Sequence, residues 1–221
     1  VVIAIVVAAY LYIQSSSLAP FTKFGGMQLS DGEVELMFLG TSAFILKTIH
    51  HTIIIDPATK IPMDALASLG KIDAIFITHE HSDHFDATTT FDLHHASEGV
   101  VVTNEGAYQS LSGLIHRAEK LILLRPGEDA EVDGIIVTAI ASNHSGLSPL
   151  MYVISVDNLT ILHGSDSGFE PSLERYRGKI DIALLSTGGG SPTASTSQAF
   201  TMAGAVMPKV VIPMHGASTG Y

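Results

Sequence analysis

Residues 78–86, "THEHSDHFD", set three histidines and three acids into nine positions directly after the apolar stretch 72–77. His79 and His81 stand two apart, so at the end of an extended strand they point to one side, while Asp83 and His84 lie on the turn beyond. Four donors then converge from a single loop. Zinc and similar divalent ions take three or four nitrogen or oxygen donors at roughly 2.0–2.2 Å, so this spacing reads as a metal site. The chain has no cysteine, which excludes thiolate ligation, a cysteine nucleophile and a disulfide framework. One loop cannot complete two sites, and any further ligand has to arrive from elsewhere in the fold.

Three residues stand where such ligands belong: His144 in "ASNHSG", Asp166 in "HGSDSG" and His215 in "PMHG". Each follows an apolar strand and precedes small residues or glycine, and strand-end loops along one edge are where layered folds gather functional groups. Seven candidates then share one rim: His79, His81, Asp83, His84, His144, Asp166 and His215. His163, close to Asp166, competes with it for the same role. Glu80 and Asp86 are read as solvated or as supports of the ligands. His94 and His95 fit no motif but are near enough in sequence to line a substrate pocket.

The rest of the chain reads as strands in two groups, each with helices. Segments 32–40, 43–48 and 51–57 form an N-terminal meander, Pro62 opens a short helix closed by Gly70, and 72–77 is a buried strand. A helix over 86–97 follows, then a strand and a helix capped by Asn104. After the strand 121–124 and a turn at 125–128, strands 134–145, 150–156 and 159–166 succeed one another, the last two joined at Asp157-Asn158. The strand 180–187, a helix capped by Ser197 and the strand 209–216 complete the pattern. Hairpins are too frequent for a purely parallel sheet. A four-layer αββα sandwich of two mixed sheets flanked by helices accommodates them. At 221 residues with 46% apolar content, one catalytic domain over 21–221 is expected. The loop 188–197 is either a cover over the site or a polar connector.

The ordered set His-x-His-x-Asp-His, then His, Asp and His, resembles the metallo-β-lactamase superfamily of binuclear metal hydrolases. The phrases "FITHEHSDHFD", "ILHGSDSG", "LLSTGG" and "VVIPMHG", with Asp56-Pro57 after the third strand, are most similar to one branch of it. That branch includes ascorbate-6-phosphate lactonase-like and N-acylphosphatidylethanolamine phospholipase D-like enzymes. The resemblance runs from about Glu33 to His215 and implies two divalent ions, zinc first, with manganese or iron as alternatives. By it, His79, His81 and His144 hold one ion, Asp83, His84 and His215 the other, Asp166 bridges them, and Asp56 supports the site without binding metal. A metal-bridging hydroxide would then cleave an ester, lactone or phosphodiester, with Asp83 also acting as the catalytic group that orients the nucleophile and moves its proton. The alternatives are a metal-binding scaffold or sensor without turnover, and a diiron-type redox protein.

A net charge of −11 with no run of Lys or Arg excludes nucleic acid as a partner and leaves a small-molecule or lipid-like substrate. Residues 1–13 carry no charge and precede a serine spacer, so 1–20 is read as a membrane anchor or signal segment, the chain starting at Val1 within it. Thirteen apolar residues fall short of the about 20 a span needs. The expectation is nonetheless a membrane-anchored or exported protein, with a transmembrane helix among its features.

Overall fold

The computed structural model describes residues 18–188 and 193–216. Twelve strands form two six-stranded sheets. The first runs β1 (Glu35–Gly40), β2 (Ala43–Lys47), β3 (Thr52–Ile55), β4 (Ala74–Ile77), β5 (Val100–Thr103) and β6 (Leu121–Leu123), in that spatial order. The second holds β7 (Asp129–Val132), β8 (Ile135–Ala141), β9 (Leu150–Val156), β10 (Leu159–His163), β11 (Ile182–Ser186) and β12 (Val210–Met214), again in sequence order. Each sheet starts as an antiparallel meander and ends in parallel strands. The helices are α1 (Ala19–Gly25), α2 (Leu66–Leu69), α3 (Ala87–Ser97), α4 (Glu105–Leu111) and α5 (Thr196–Val206).

The period-two alternation of the strands creates the layers. Leu36 of β1, Phe44 of β2 and Phe76 of β4 face Tyr152 and Ile154 of β9 between the sheets. Met37, Ile45 and Ile75, one residue along, face Phe21, Phe24 and Leu93 of the helices outside the first sheet. On the second sheet Met151 and Val153 point outward to Ala199, Met202 and Val206 of α5. Three apolar layers between four layers of structure make the expected αββα sandwich.

Four details differ from the sequence reading. Residues 19–25 form α1, a helix the sequence reading did not expect and whose first two residues it placed in the N-terminal segment 1–20; α1 buries Phe21 and Phe24. Strand β7 was missed because Asp129 and Glu131 give it the polar face of an edge strand. Helix α5 is capped by Ser195 rather than Ser197: Ser195 and Gln198 exchange side-chain and backbone hydrogen bonds in a capping box. The fourth concerns the membrane. Among the described residues no helix is long and apolar enough to cross one. The longest, α3 and α5, have 11 residues each, roughly 16 Å at 1.5 Å per residue against a hydrocarbon core of about 30 Å. The transmembrane-helix and membrane-anchored or exported expectation is therefore withdrawn, and residues 1–17 on which it rested lie outside the described residues.

Candidate metal centre

Parallel strands β3, β4, β10, β11 and β12 end at one rim, where all seven predicted residues come together. Strand β4 delivers Thr78 and His79. The chain then turns tightly, with His84 and Phe85 donating their N–H groups to the His81 carbonyl, and Asp86 caps α3 by accepting from Thr89 N at 2.7 Å. Phe85 buries its ring beneath the helices, which pins the turn from below.

Three groups form. In the first, His79 Nε2 is 3.1 Å from His81 Nδ1, which is 3.2 Å from His144 Nε2. In a second, Asp83, His84 and His215 meet, with Asp83 Oδ2 3.4 Å from His215 Nε2 and 3.7 Å from His84 Nε2. His79 and His84 form the third with Asp166. Asp166 Oδ2 stands 3.2 Å from His84 Nε2, 3.2 Å from His215 Nε2 and 3.8 Å from His144 Nε2, so one carboxylate oxygen joins both ends of the cluster.

Asp56, buried at the end of β3, organises the cluster from behind. It accepts from Thr78 N (2.8 Å), Thr78 Oγ1 (2.7 Å) and His84 Nδ1 (2.8 Å). Because the Thr78 hydroxyl gives its proton to Asp56, His79 Nδ1, 2.9 Å from Thr78 Oγ1, has to donate to it. His79 and His84 thus both carry hydrogen on Nδ1 and present Nε2 to the cluster. That is the tautomer a metal ligand needs. Burial would raise the Asp56 carboxyl, but the hydrogen bond and charge of His84 outweigh it and hold it below the usual range.

The electrostatics divide the histidines. Burial alone would depress His84, yet the Asp166 and Asp56 carboxylates on its two ring nitrogens raise it to about 10. His79, desolvated and beside that positive ring, is pushed down to about 3. Asp166 is also held well below its usual value, because His215 and His84 outweigh its burial.

His163 and Asp166 are now separable. His163 is buried with Nε2 against the Ser42 carbonyl at 2.8 Å, and it holds the β1–β2 turn rather than facing the cluster. His94 is bonded to the Gly99 carbonyl at 2.8 Å and His95 stacks on Phe91, so both serve α3. Four non-glycine residues around the rim, Thr41, Asp56, Ser165 and His215, adopt positive φ, the kind of backbone strain that collects at functional sites. Gly188 permits the approach of β12: a Cβ there would lie 2.3 Å from the His215 carbonyl oxygen. Of the loop 188–197, Thr193 donates to Asp166 Oδ2 at 3.3 Å and Ala194 N donates to the Asp166 carbonyl; 189–192 lie outside the described residues. The sequence reading missed Ser42 and Thr78, and the only signal for Thr78 was its place beside His79.

The donor set fits divalent cations. Ligands about 2.0–2.1 Å from a tetrahedral centre stand about 3.3–3.4 Å apart, close to the spacing of these ring nitrogens. Asp166 Oδ1 is buried without a hydrogen-bond partner, and His84 Nε2 and His215 Nε2 face carboxylate oxygens of Asp166 and Asp83 at 3.2 to 3.7 Å, a buried donor set that a cation would satisfy.

Comparison with known proteins identifies the family. A UPF0173 protein of Pyrococcus abyssi is 29% identical over 188 residues, 85% of each chain. A UPF0173 metal-dependent hydrolase of Caldivirga maquilingensis is 30% identical over 193 residues, 81% of each. Igni18, a metallo hydrolase of Ignicoccus hospitalis, superposes with a TM-score of 0.68 at 24% identity over 81% of each chain, which supports the fold. The family model for the beta-lactamase superfamily domain matches residues 35–215, which spans every strand and all seven clustered residues, and the chain belongs to that family.

Proposed function

We propose that the rim cluster holds two divalent cations and hydrolyses an ester, lactone or phosphodiester. At the coarser level, the family and its relatives make the chain a metal-dependent hydrolase of the metallo-β-lactamase superfamily. The assignment gives His79, His81 and His144 to one ion, Asp83, His84 and His215 to the other, and Asp166 to both. The observation that carries it is the position of Asp166 Oδ2 between ring nitrogens of both groups. Zinc is the first candidate for a site of histidine nitrogens and carboxylate oxygens, with manganese and iron as alternatives. Bound there, two such ions supply Lewis acidity toward the scissile C=O or P=O and a water that ionises near neutral pH.

The chain's own groups do the rest. Asp56 and Thr78 keep His79 and His84 in the Nε2-presenting tautomer. Asp166 lowers the net positive charge between the two groups. Asp83 is the exposed carboxylate of the set, so it can take the nucleophile's proton and pass it to solvent. The test is elemental analysis of the protein after reconstitution with zinc, manganese or iron, followed by a screen of ester, lactone and phosphodiester substrates. About two ions per chain and turnover of one substrate class are expected. Less than one ion per chain with every metal overturns the proposal.

A pH dependence follows from His84. Its value of about 10 in the metal-free chain means that Nε2 is protonated at neutral pH. It has to give up that proton when a cation takes its place, and His215, also raised by Asp166, adds to the effect. The sign is therefore fixed: affinity rises with pH up to about 10, and binding at pH 7.5 releases at least about one proton per chain. Calorimetry in two buffers of different ionisation enthalpy reads that number, and a result of zero contradicts the His84 assignment. The proton contributes in the opposite sense to the stability of the metal-free fold. That contribution is complete below the unfolded value of about 6.5 and lost as pH rises through about 10.

A further inference from the structure

Glu80 sits in sequence between two of the proposed ligands, and its carboxylate is engaged elsewhere. Oε1 accepts the Leu147 N–H at 2.6 Å and Oε2 accepts from Asn104 Nδ2 at 3.0 Å. Asn104 Nδ2 also donates to the Leu147 carbonyl at 2.9 Å, while Asn104 Oδ1 accepts the Ala107 N–H at 3.1 Å and caps α4. Both backbone polar groups of Leu147 are thereby held, one by Glu80 and the other by a buried asparagine bonded to Glu80. Leu147 belongs to the β8–β9 loop, which also carries His144. At the near end of that loop Asn143 N donates to Ser167 Oγ at 2.8 Å and Asn143 O accepts from Gly168 N at 3.1 Å. His144 thus lies between two fastened points.

Glycine makes the fastening fit. A Cβ on Gly106 in α4 would fall 2.2 Å from Glu80 Oε2, and one on Gly146, whose φ is +131°, would fall 3.1 Å from Oε1. Gly106 is the second residue of α4, and the group that its missing side chain makes room for is this carboxylate.

We infer that Glu80 is a positioning residue that fastens the His144 loop to the His79–His84 turn and so sets the place of His144 against His79 and His81. Its functional meaning rests on the metal reading proposed above, whereas the fastening itself is a property of the metal-free chain. A side chain that orients ligands in this way typically changes metal affinity by about 10- to 100-fold when removed.

The test uses the wild type, Glu80→Ala and Gly106→Ala, with two readouts. In the metal-free proteins, amide exchange at Leu147 should accelerate at least about tenfold in Glu80→Ala, because its acceptor is gone. In zinc competition against a chelator, one of the two ions should bind about 10- to 100-fold more weakly in Glu80→Ala while the other keeps its affinity. Gly106→Ala displaces the same carboxylate without removing it, so it should reproduce both the faster Leu147 exchange and the weakening of one ion; general destabilisation would not single out one ion. Unchanged Leu147 exchange or unchanged zinc affinity in Glu80→Ala overturns the inference. A wild type that binds no zinc overturns the metal reading and with it the role in placing His144, and accelerated Leu147 exchange in the same variant identifies that outcome as a failure of the metal reading alone.

Discussion

Asp166→Ala is expected to cost at least about 100-fold in metal affinity and to abolish measurable hydrolysis. Loss of a residue that merely orients a ligand costs 10- to 100-fold, and Asp166 does more than orient. Its side chain is 4% exposed, and a single oxygen lies within 3.8 Å of ring nitrogens from three different segments, at His84, His144 and His215. Alanine removes the one carboxylate that reaches all three rings and leaves Asp83, 3.4 Å from His215 and 3.7 Å from His84, in place, so each cation that enters meets a less negative site. The fold should survive, because Asp166 is in none of the three apolar layers and its backbone carbonyl keeps the bond from Ala194 N. Asp166→Asn retains the volume and one oxygen for Thr193 while removing the charge; an intermediate loss there separates charge from shape. The measurement is ions per chain at a fixed free zinc concentration, with the far-ultraviolet spectrum and unfolding midpoint recorded alongside. Two ions retained in a folded Asp166→Ala protein would remove the basis for a shared carboxylate.

The seven clustered residues were legible because each is next to something a sequence displays. His79, His81, Asp83 and His84 are crowded on one turn, and His144, Asp166 and His215 follow apolar strands that end at the same edge. The supports around them were harder to read, because what defines them is contact across long sequence separations. Glu80 meets Leu147 67 residues later, and Asp56 meets His84 28 residues later. Asn104 was recognised as a cap from its local role alone; its second hydrogen-bonding group, which reaches Glu80, has no local signature. Helix α1 shows the same limit. Seven residues are too short to be helical by propensity, and α1 persists because Phe21 and Phe24 are buried and Lys47 Nζ bonds the carbonyls of Gly25 and Met27 at 2.6 and 2.9 Å. The two-sheet architecture was readable because hairpin turns such as Asp157-Asn158, both at positive φ, are written in the local sequence.

Phe76→Ala should destabilise the fold by about 3–5 kcal/mol, the cost of removing a fully buried aromatic ring, and should weaken metal binding as well. Phe76 is 0% exposed in the middle of β4, with its ring 5.6 Å from that of Tyr152 in the layer between the sheets. Its carbonyl accepts the N–H of Asp56 at 2.9 Å, and the Tyr152 hydroxyl donates to the Ile77 carbonyl at 2.8 Å. The ring that fills the core therefore also fixes the strand end from which Thr78 and His79 emerge, and the backbone of the carboxylate that sets two histidine tautomers. A cavity there should let β4 and Tyr152 shift together, moving the imidazoles by enough to matter to a site that depends on donor spacing. Met202→Ala provides the control. Met202 is equally buried, but in the outer layer between α5 and the second sheet, and its loss should cost about 2–5 kcal/mol. Denaturant midpoints for the metal-free proteins and zinc affinities for both variants decide the matter. Comparable destabilisation with weaker zinc binding only in Phe76→Ala ties the inter-sheet core to the site. Equal effects on zinc would mean that stability alone, and not the placement of β4, governs the metal centre.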